Sequence, residues 1–433
     1  MALRELGRSL RHRNYRLFFA GQSISLIGTW LTRVATSWLV YRLTHSALLL
    51  GTVGFAGQIP TFLLAPFAGV WVDRWNRHRV LVATQVLAMV QSALLAFFAL
   101  SGTITVLDVL ALSTLQGAIN AFDMPARQAF VVQMIEDRAD LPNAIAINSS
   151  MVNAARLIGP SVGGVLIAAV GEGWCFLTDA VSYLAVIASL LAMRVTPLPR
   201  RELKTHVWAD LHEGLRYIMH SAPIRSVLLL LALVSLMGMP YTVLMPIFAS
   251  SVLLGGPHTL GILMAASGLG ALIGALYLAS RSSVLGLGRI VALAAAVFGI
   301  GLVLFSQSRW LALSLPLMLL TGMGMMVQMA SSNTILQTIV EEDKRGRVMS
   351  FYTMAFVGTA PFGSLLAGAV AQRAGAPQTL LFGGGCCIAG AVAFTRALPR
   401  LRKLARPHYE RIGILPARQG AESASHLSIP PED

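Results

Sequence analysis

Long apolar segments separated by short polar ones run along almost the whole chain, beginning at Leu17. Each segment extends over about 17 to 27 residues, and a helix needs roughly 20 apolar residues to cross a bilayer. The pattern therefore predicts twelve transmembrane helices. The predicted spans, numbered 1 to 12, are 17–41, 47–72, 80–100, 106–122, 144–170, 174–193, 226–252, 260–279, 290–306, 310–333, 348–371 and 379–397.

The composition supports a membrane protein over a soluble one. Of the 433 residues, 55% are hydrophobic and 12% are charged. Soluble domains carry about 25% charged residues, so a soluble fold of this length would leave a large apolar surface in water. A bilayer accommodates that surface because it is itself an apolar solvent.

The basic residues are concentrated in alternate connections between the spans. A net charge of +14 is compatible with nucleic-acid binding, but this alternation is typical of the positive-inside rule. We therefore expect no nucleic-acid partner, and both termini in the cytoplasm. The cytoplasmic loops hold Arg74, Arg77, Arg79, Lys344, Arg345 and Arg347, whereas the outer loops hold only Arg42, Arg309 and Arg373.

The twelve spans divide into two groups of six. The predicted fold is an all-α membrane protein with an N-terminal six-helix bundle at 1–195 and a C-terminal bundle at 223–400. Residues 196–222 are predicted to form a cytoplasmic linker with an amphipathic helix, which suits a position at the membrane surface, packing on the bundle, or both. Residues 401–433 become polar and are expected to be a disordered tail.

Cysteine and histidine usage argues against metal or enzyme chemistry. Three cysteines, two of them adjacent within an apolar run, give neither a disulfide framework nor ligand spacing. All nine histidines fall in loops or near span ends, and no phosphate-binding glycine loop occurs. We therefore expect no metal, no cofactor and no catalytic site, which disfavours a polytopic membrane enzyme.

The loop between spans 2 and 3 carries small, acidic and basic residues at regular spacing. Asp73 at a helix C-terminus is unfavourable and should have a partner, while Gly69 would let a neighbouring helix approach. The stretch resembles the loop signature of the major facilitator superfamily, with Asn76 in place of a glycine and able to adopt the left-handed conformation. The resemblance implies a cytoplasmic conformational latch; the alternative is a plain basic loop. The latch candidates are Gly69, Asp73, Arg74, Arg77 and Arg79, with Asp123 and Arg127 added from span 4.

Span 5 contains a stripe of small residues around a proline. Ala155, Gly159 and Gly163 lie four residues apart, a spacing that allows close helix approach. The stretch resembles the antiporter signature of exporter-type facilitators, which implies export; the alternative is ordinary helix packing. The residues of this motif are Arg156, Gly159, Pro160, Gly163 and Gly164.

A wider resemblance covers most of the chain. Segments 123–130, 141–149, 214–217 and 346–350 are similar to the enterobactin-exporter-like branch of the facilitators, which includes macrolide-efflux proteins. The resemblance implies alternating-access export of a small amphipathic molecule, siderophore or drug-like, from the inner membrane by proton antiport. It also implies a monomer whose partners are a small-molecule substrate and membrane lipid. The alternative is a lysophospholipid transporter.

Carboxylates that could carry a proton lie only in the first half, because spans 7 to 12 contain no Asp or Glu. Asp179 and Arg33 have compatible depths in spans 6 and 1, and a charge inside the membrane should be paired. We therefore expect Asp179 to pair with Arg33 or Arg156 and to release that partner when protonated. The alternative is a static ion pair. Asp108 is a further candidate, and Ser113 stands where proton-coupled drug exporters usually have an arginine.

Polar and thioether side chains inside the spans are candidates for a substrate cavity. Methionines on one face of span 10 suit an adaptable apolar wall, although helix packing is the alternative. With arginines inside and no acids in the second half, a neutral or anionic substrate is favoured over a cationic drug. The cavity candidates are Gln58, Gln116, Asn120, Asn148, Asn153, Met325 and Gln328.

Overall fold

All twelve predicted spans are helical in the computed structural model, which describes residues 7–194, 207–281 and 283–411. The described residues contain no strand, which confirms the all-α prediction. Each helix takes the number of its span. The helices are α1 (Arg13–Thr44), α2 (Ala47–Ala56 and Ile59–Arg74), α3 (Arg77–Leu100), α4 (Val106–Met134), α5 (Leu141–Val170), α6 (Glu172–Leu191), α7 (Ala222–Leu233, continuing to Tyr241–Ile247), α8 (Pro257–Ala279), α9 (Leu287–Gln307), α10 (Leu311–Ile339), α11 (Glu342–Thr353 and Ala360–Ala374) and α12 (Ala376–Arg411).

Two of the twelve helices are less apolar than the rest. Within the described part of the chain, 10 helices are long and apolar enough to cross a membrane on those criteria alone. The other two are α1 and α4, which hold Arg33 and Asp123. They pack inside the first bundle, α1 against α5 and α6, and α4 against α2 and α3. Intramembrane charges normally face the interior of a bundle, so lower hydropathy is expected of such helices.

Helices α7 and α11 each contain a wider π-helical turn. In α7 one spans Val234–Gly238 and precedes Pro240, and a second follows at Phe248–Val252; in α11 the π-helical turn spans Met354–Gly358. A proline removes a backbone donor, and π-turns leave carbonyl groups that need another partner. The Ser235 hydroxyl supplies one, donating to the Phe356 carbonyl oxygen at 2.5 Å. The two distorted helices are thereby joined at their distortions.

The two bundles meet through glycines at the end of the molecule opposite the chain termini. A Cβ atom on Gly51 of α2 would lie 2.9 Å from the Gly368 Cα atom of α11. A Cβ atom on Gly164 of α5 would likewise lie 2.9 Å from the Gly261 Cα atom of α8. Only glycine permits so close an approach of two backbones. The two contacts are equivalent under exchange of the halves.

Side-chain hydrogen bonds join the halves at the same end. The Tyr41 and Ser251 hydroxyls are 2.6 Å apart, and Ser46 donates to the Gln372 side-chain oxygen at 3.0 Å. Toward the termini, by contrast, polar side chains of both halves are exposed. The two halves are thus held together by direct contacts at the far end. The exposed polar residues are Ser149, Ser150, Thr334, Gln337, Ser350 and Thr353.

The linker helix, Val207–His220, packs against the start of α11. Its Glu213 carboxylate lies 2.5 Å from the Lys344 ammonium and 2.6 Å from the Arg347 guanidinium. The hydrogen bond from Lys344, with the nearby Arg347 charge, holds the pKa of Glu213 below its usual range. The linker helix therefore packs on the bundle, and its position at the membrane surface stays a prediction.

The C-terminal boundary differs from the one predicted. Span 12 was expected to end at Ala397, whereas α12 continues to Arg411. Residues 401–411 are therefore helical. The rest of the expected tail, 412–433, and residues 195–206 of the linker lie outside the described residues.

Candidate substrate cavity

A cavity of about 460 Å³ lies between the two halves. Residues from α1 to α5 line one side, and residues from α7, α8 and α11 line the other. None of the lining residues in the described chain is acidic. The polar and aromatic residues around it include Trp30, Thr32, Arg33, Gln58, Thr61, Gln91, Ser113, Gln116, Asn120, Arg156, Tyr241, Thr242 and Ser267.

Two arginines share one tryptophan on the cavity wall. The Arg33 guanidinium carbon lies 4.7 Å from the centre of the Trp30 ring, and that of Arg156 lies 5.7 Å from it. Both distances are within the range of cation–π attraction. Arg156 also donates to the Met325 sulfur at 3.7 Å. Two like charges this close repel each other, so an anion beside them would be favourable.

The proline-glycine motif of α5 determines how closely α1 approaches. A Cβ atom on Gly159 would clash with the Trp30 Cβ atom, whereas one on Gly163 would lie 3.6 Å from the Leu31 Cα atom. Gly164 faces the opposite way and contacts α8, as described above. The predicted packing stripe is present, with its tightest contact at Gly159. Pro160 lines the cavity beside this contact, so the motif sets the position of Trp30.

The predicted ion pair between Asp179 and an arginine is wrong for this conformation. The Asp179 carboxylate accepts hydrogen bonds from the hydroxyls of Thr32 at 2.7 Å and Ser92 at 2.8 Å. Its other oxygen has no hydrogen-bond partner among the described residues, and the side chain is 1% exposed. The reason is helical rotation, because Arg33 is turned by about 100° from Thr32 and reaches Trp30 instead. Asp179 thus lies directly behind the cavity wall.

Asp108 also proves to have a different role from the one expected. It occupies the first turn of α4, where its carboxylate accepts from the Thr105 amide at 2.8 Å and the Thr105 hydroxyl at 2.7 Å. The Thr105 oxygen in turn accepts from the Asp108 amide at 3.3 Å. This reciprocal arrangement is a capping box that satisfies free amides at the start of a helix. Asp108 makes no ion pair within the described structure.

Asp123 and Arg127 form a buried ion pair one turn apart on α4. The other carboxylate oxygen of Asp123 accepts from Gln85 at 2.7 Å and from Thr84 at 3.1 Å. Asp123 is only 2% exposed, and a buried charge of this kind is stable when its partners are all in place. Neither residue lines the cavity. Their assignment to the latch stays a prediction.

Asn76 does not adopt the left-handed conformation expected of it. Its φ is −71° and its ψ is 107°, an extended conformation. The side chain instead accepts a hydrogen bond from the Arg79 amide at 3.2 Å and caps the start of α3. Asparagine is among the preferred residues for this role. The residue therefore begins the helix rather than making a glycine-like turn.

The remaining latch candidates are spread around the end of α2. Arg74 and Arg79 are exposed, and Arg77 is half-buried. A Cβ atom on Gly69 would have no described atom within 4 Å, so the predicted helix approach at Gly69 is absent in this conformation. The side chain of Asp73 lies outside the described part of the structure. The latch role of these residues stays a prediction.

Three predicted cavity residues, Gln58 of α2 and Gln116 and Asn120 of α4, line the cavity. Gln58 stands at a break in α2, and Gln116 donates to the Asn120 side-chain oxygen at 3.2 Å. Thr61 donates to the Gly117 carbonyl at 2.7 Å. The small side chain at Ser113 lies beside Gly57. A break in α2 is therefore packed against α4, and its polar groups reach the cavity.

Four other predicted cavity residues are not in the lining. Asn153 is 9% exposed and donates to the Ser149 carbonyl, while Gln328 is 1% exposed and donates to Ser332. Asn148 is half-buried. Met325 is 2% exposed and reaches the site only through Arg156. The methionine face of α10 packs on α8, as the alternative interpretation had it, because Gly322 brings the two helices into backbone contact.

Comparison with known proteins identifies the family. A family model described as "transmembrane secretion effector" matches residues 8–411. The chain belongs to this major facilitator family. It is 28% identical over 371 residues to the staphyloferrin A transporter of Staphylococcus aureus, covering 84% of this chain and 91% of that protein. It is 28% identical to the multidrug efflux pump Tap of Mycolicibacterium fortuitum, covering 87% and 93%.

A third relative and two solved structures agree. The enterobactin exporter EntS of Shigella boydii is 27% identical, covering 90% of this chain and 93% of the exporter. A structure of a POT family transporter superposes with a TM-score of 0.70 at 11% identity, covering 90% and 96%. The structure of a bacterial homolog of the lysosomal transporter Spinster, in an inward-facing and unoccupied conformation, superposes with a TM-score of 0.67 at 14% sequence identity. The match covers 92% of this chain and 98% of that one. At such identities the structures show the fold alone. The chain is a multi-pass membrane transporter, as the sequence resemblance implied.

Two aromatic residues of this secretion effector were missed by sequence reasoning. Trp30 holds both arginines, and Tyr241 shares a 2.7 Å hydrogen bond with Ser267 on the opposite wall of the cavity. The sequence does contain a feature that could have indicated each of these two residues. Trp30 lies three residues before Arg33 on the same helix, and Tyr241 directly follows Pro240, where α7 is distorted. Such discontinuities are frequent at functional sites in helices.

Proposed function

We propose that this transporter exports an anionic or neutral amphipathic molecule, such as a siderophore, from the cytoplasm. The observation that supports this most is the pair of guanidinium groups on Trp30 in a cavity whose described lining contains no acid. Arginine binds carboxylate-like anions through its planar set of donors, and it stacks on aromatic faces such as that of Trp30. A cationic drug would meet only like charge and would be disfavoured.

The direction of transport is inferred from charge and relatives together. The positive-inside pattern supports a cytoplasmic position for both termini, and we propose that the cavity opens on that side. A substrate would enter from that side and leave when the glycine contacts at the far end separate. Relatives named as a multidrug efflux pump and an enterobactin exporter support this direction. One chain builds the whole cavity, so a monomer is the working unit.

We further propose that Asp179 links export to proton entry. An ionised carboxylate without a cationic partner is costly inside a membrane protein, and Asp179 is held only by Thr32 and Ser92. Thr32 also lines the cavity, so a change of protonation would be transmitted to the site through one hydrogen bond. Driving one charge across the membrane provides about 2.3 kcal/mol per 100 mV.

The alternative of lysophospholipid transport is not favoured. The Spinster homolog is only 14% identical to this chain, so it shows the fold alone. The staphyloferrin A transporter, the efflux pump Tap and the enterobactin exporter are 27–28% identical over most of their length. Lipid movement therefore serves as a contrasting outcome in the test of function.

The test is accumulation in an efflux-deficient host that expresses the protein. The panel contains a catecholate siderophore, a macrolide, a cationic dye and a labelled lysophospholipid, each with and without a protonophore. We expect lower accumulation of the siderophore, abolished by the protonophore. A response confined to the cationic dye would refute the anion preference, and altered lysophospholipid movement alone would favour the alternative.

A further inference from the structure

A second cavity, of about 410 Å³, lies within the C-terminal half at the end that bears the termini. The ends of α7, α10 and α12 and the connection from α8 to α9 surround it. Its inner wall is apolar and includes Val227, Ile339, Phe394 and Leu398, each less than 10% exposed. It is separate from the central cavity, and the transport proposal makes no use of it.

The mouth of this cavity is basic. Arg402 and Arg406 of α12 line it, and both are exposed. Arg406 forms an ion pair with Glu410, with 2.7 Å between Nε and Oε1. No acidic partner of Arg402 occurs in the described structure. The cavity therefore combines an apolar interior with a positively charged entrance.

The α8–α9 connection adds to this positive character. Gly286 to Gly288 line the cavity where α9 begins, and the first turn of α9 contains neither a side-chain cap nor an acid. The amides at a helix start are attractive to phosphate. The chain carries no Asp or Glu between Glu213 and Glu341, so this connection, equivalent to the latch loop of the first half, contains only basic charges.

We propose that this cavity binds an anionic phospholipid of the adjoining leaflet. An acyl chain would occupy the apolar interior, and the phosphate would lie between Arg402, Arg406 and the start of α9. Charge complementarity and the position beside the membrane surface favour a lipid over a soluble ligand, since basic pockets between transmembrane helices select anionic headgroups. The bound lipid would join α9 to α12 at the position equivalent to the predicted latch loop of the first half.

The test is lipid binding to the purified full chain in detergent, followed by native mass spectrometry. Phosphatidylglycerol and phosphatidylcholine are titrated separately against the unaltered protein and a variant with Arg402→Gln and Arg406→Gln. We expect selective retention of phosphatidylglycerol, with affinity at least about tenfold lower in the double variant. Leu285→Trp, which fills the cavity and keeps every charge, should lower retention as well.

The matched control carries Arg400→Gln and Lys403→Gln, the same loss of charge on the same helix but outside the cavity lining. Retention in this control should equal that of the unaltered protein. Equal loss in both double variants, or equal retention of the two lipids, would overturn the proposal. Displacement of the lipid by excess inorganic phosphate alone would also overturn it, since the site would then recognise free phosphate.

Discussion

The two halves of this transporter share a fold but divide their chemistry unequally. The first half holds the charged groups inside the spans: Arg33 and Arg156 line the cavity, and the buried carboxylates are Asp179 behind it and Asp123 near the terminal side. Spans 7 to 12 contain no carboxylate at all. The second half instead contains the π-turns of α7 and α11.

The difference suggests that the first half mainly binds the substrate and that the second half mainly changes shape. Charged side chains require fixed partners and a rigid frame, which the regular helices α1, α5 and α6 supply. Distorted helices have weaker internal hydrogen bonding and are the natural places to change shape. What the halves share is the pair of equivalent glycine contacts that close the far end. The four variants below test this comparison, from the largest expected effect to the smallest.

Gly51→Val with Gly164→Val should nearly abolish transport. Each added side chain would collide with the backbone of the opposite half, so the far end would no longer close. We expect at least a roughly tenfold fall in transport rate. A cysteine placed at Thr36, in an otherwise cysteine-free chain, should also become more reactive to an impermeant maleimide applied from outside.

Gly385→Val is the control for that variant, because a Cβ atom at Gly385 has no described atom within 4 Å. Similar losses in both variants would show that the far-end contacts have no special role.

Asp179→Asn should remove the coupling to protons while preserving the cavity. The amide keeps the size of the side chain and can still accept from Thr32, but it cannot bind and release a proton. Export against a gradient should be lost, and exchange of labelled for unlabelled substrate should persist. Unchanged energised export at equal expression would refute the role of Asp179.

Arg33→Gln and Arg156→Gln should each weaken substrate binding. A hydrogen bond to a charged group contributes about 1.5–3 kcal/mol, so KM should rise at least about tenfold with a smaller change in kcat. Arg309→Gln, an exposed change at the far end, provides the control. If KM stays constant in both cavity variants, the arginines do not contact the substrate.

Glu213→Gln should have the smallest effect, on stability rather than transport. The carboxylate is exposed and its ion pairs with Lys344 and Arg347 are screened, so Tm should fall by only about 1–2 °C. Because the folded-state pKa of Glu213 is lowered, its contribution is present above the unfolded pKa and is lost as pH falls through the folded pKa. The difference in Tm should vanish in acid; a difference that persists there would indicate a packing effect.

Sequence reasoning predicted helices well because apolar length and charge asymmetry are local properties. It predicted depth in the membrane but not rotation about each helix axis. That is why Asp179 and Arg33, at compatible depths, face different neighbours, and why Gln328 faces the protein interior rather than the cavity. The rotation depends on contacts such as that of Gly159 with Trp30, which only the packed structure reveals.

The sequence predicted the packing role of the α5 motif correctly, because the spacing of its small residues along one helix determines that role. It was less informative for Asn76, where two backbone conformations were available. The small-residue stripe of α5 does bring helices together. Asn76, by contrast, had two available roles, a left-handed turn or a helix cap. The cap prevailed because it satisfies a free amide at the start of α3.

The most direct test of the central claim uses everted membrane vesicles with an acidic interior. Uptake of a labelled catecholate siderophore is compared between the unaltered protein, the double variant Arg33→Gln and Arg156→Gln, and the control Arg309→Gln. The account predicts pH-driven accumulation in the unaltered and control proteins and little in the double variant. Equal accumulation in all three, or accumulation of a cationic dye in place of the siderophore, would contradict it.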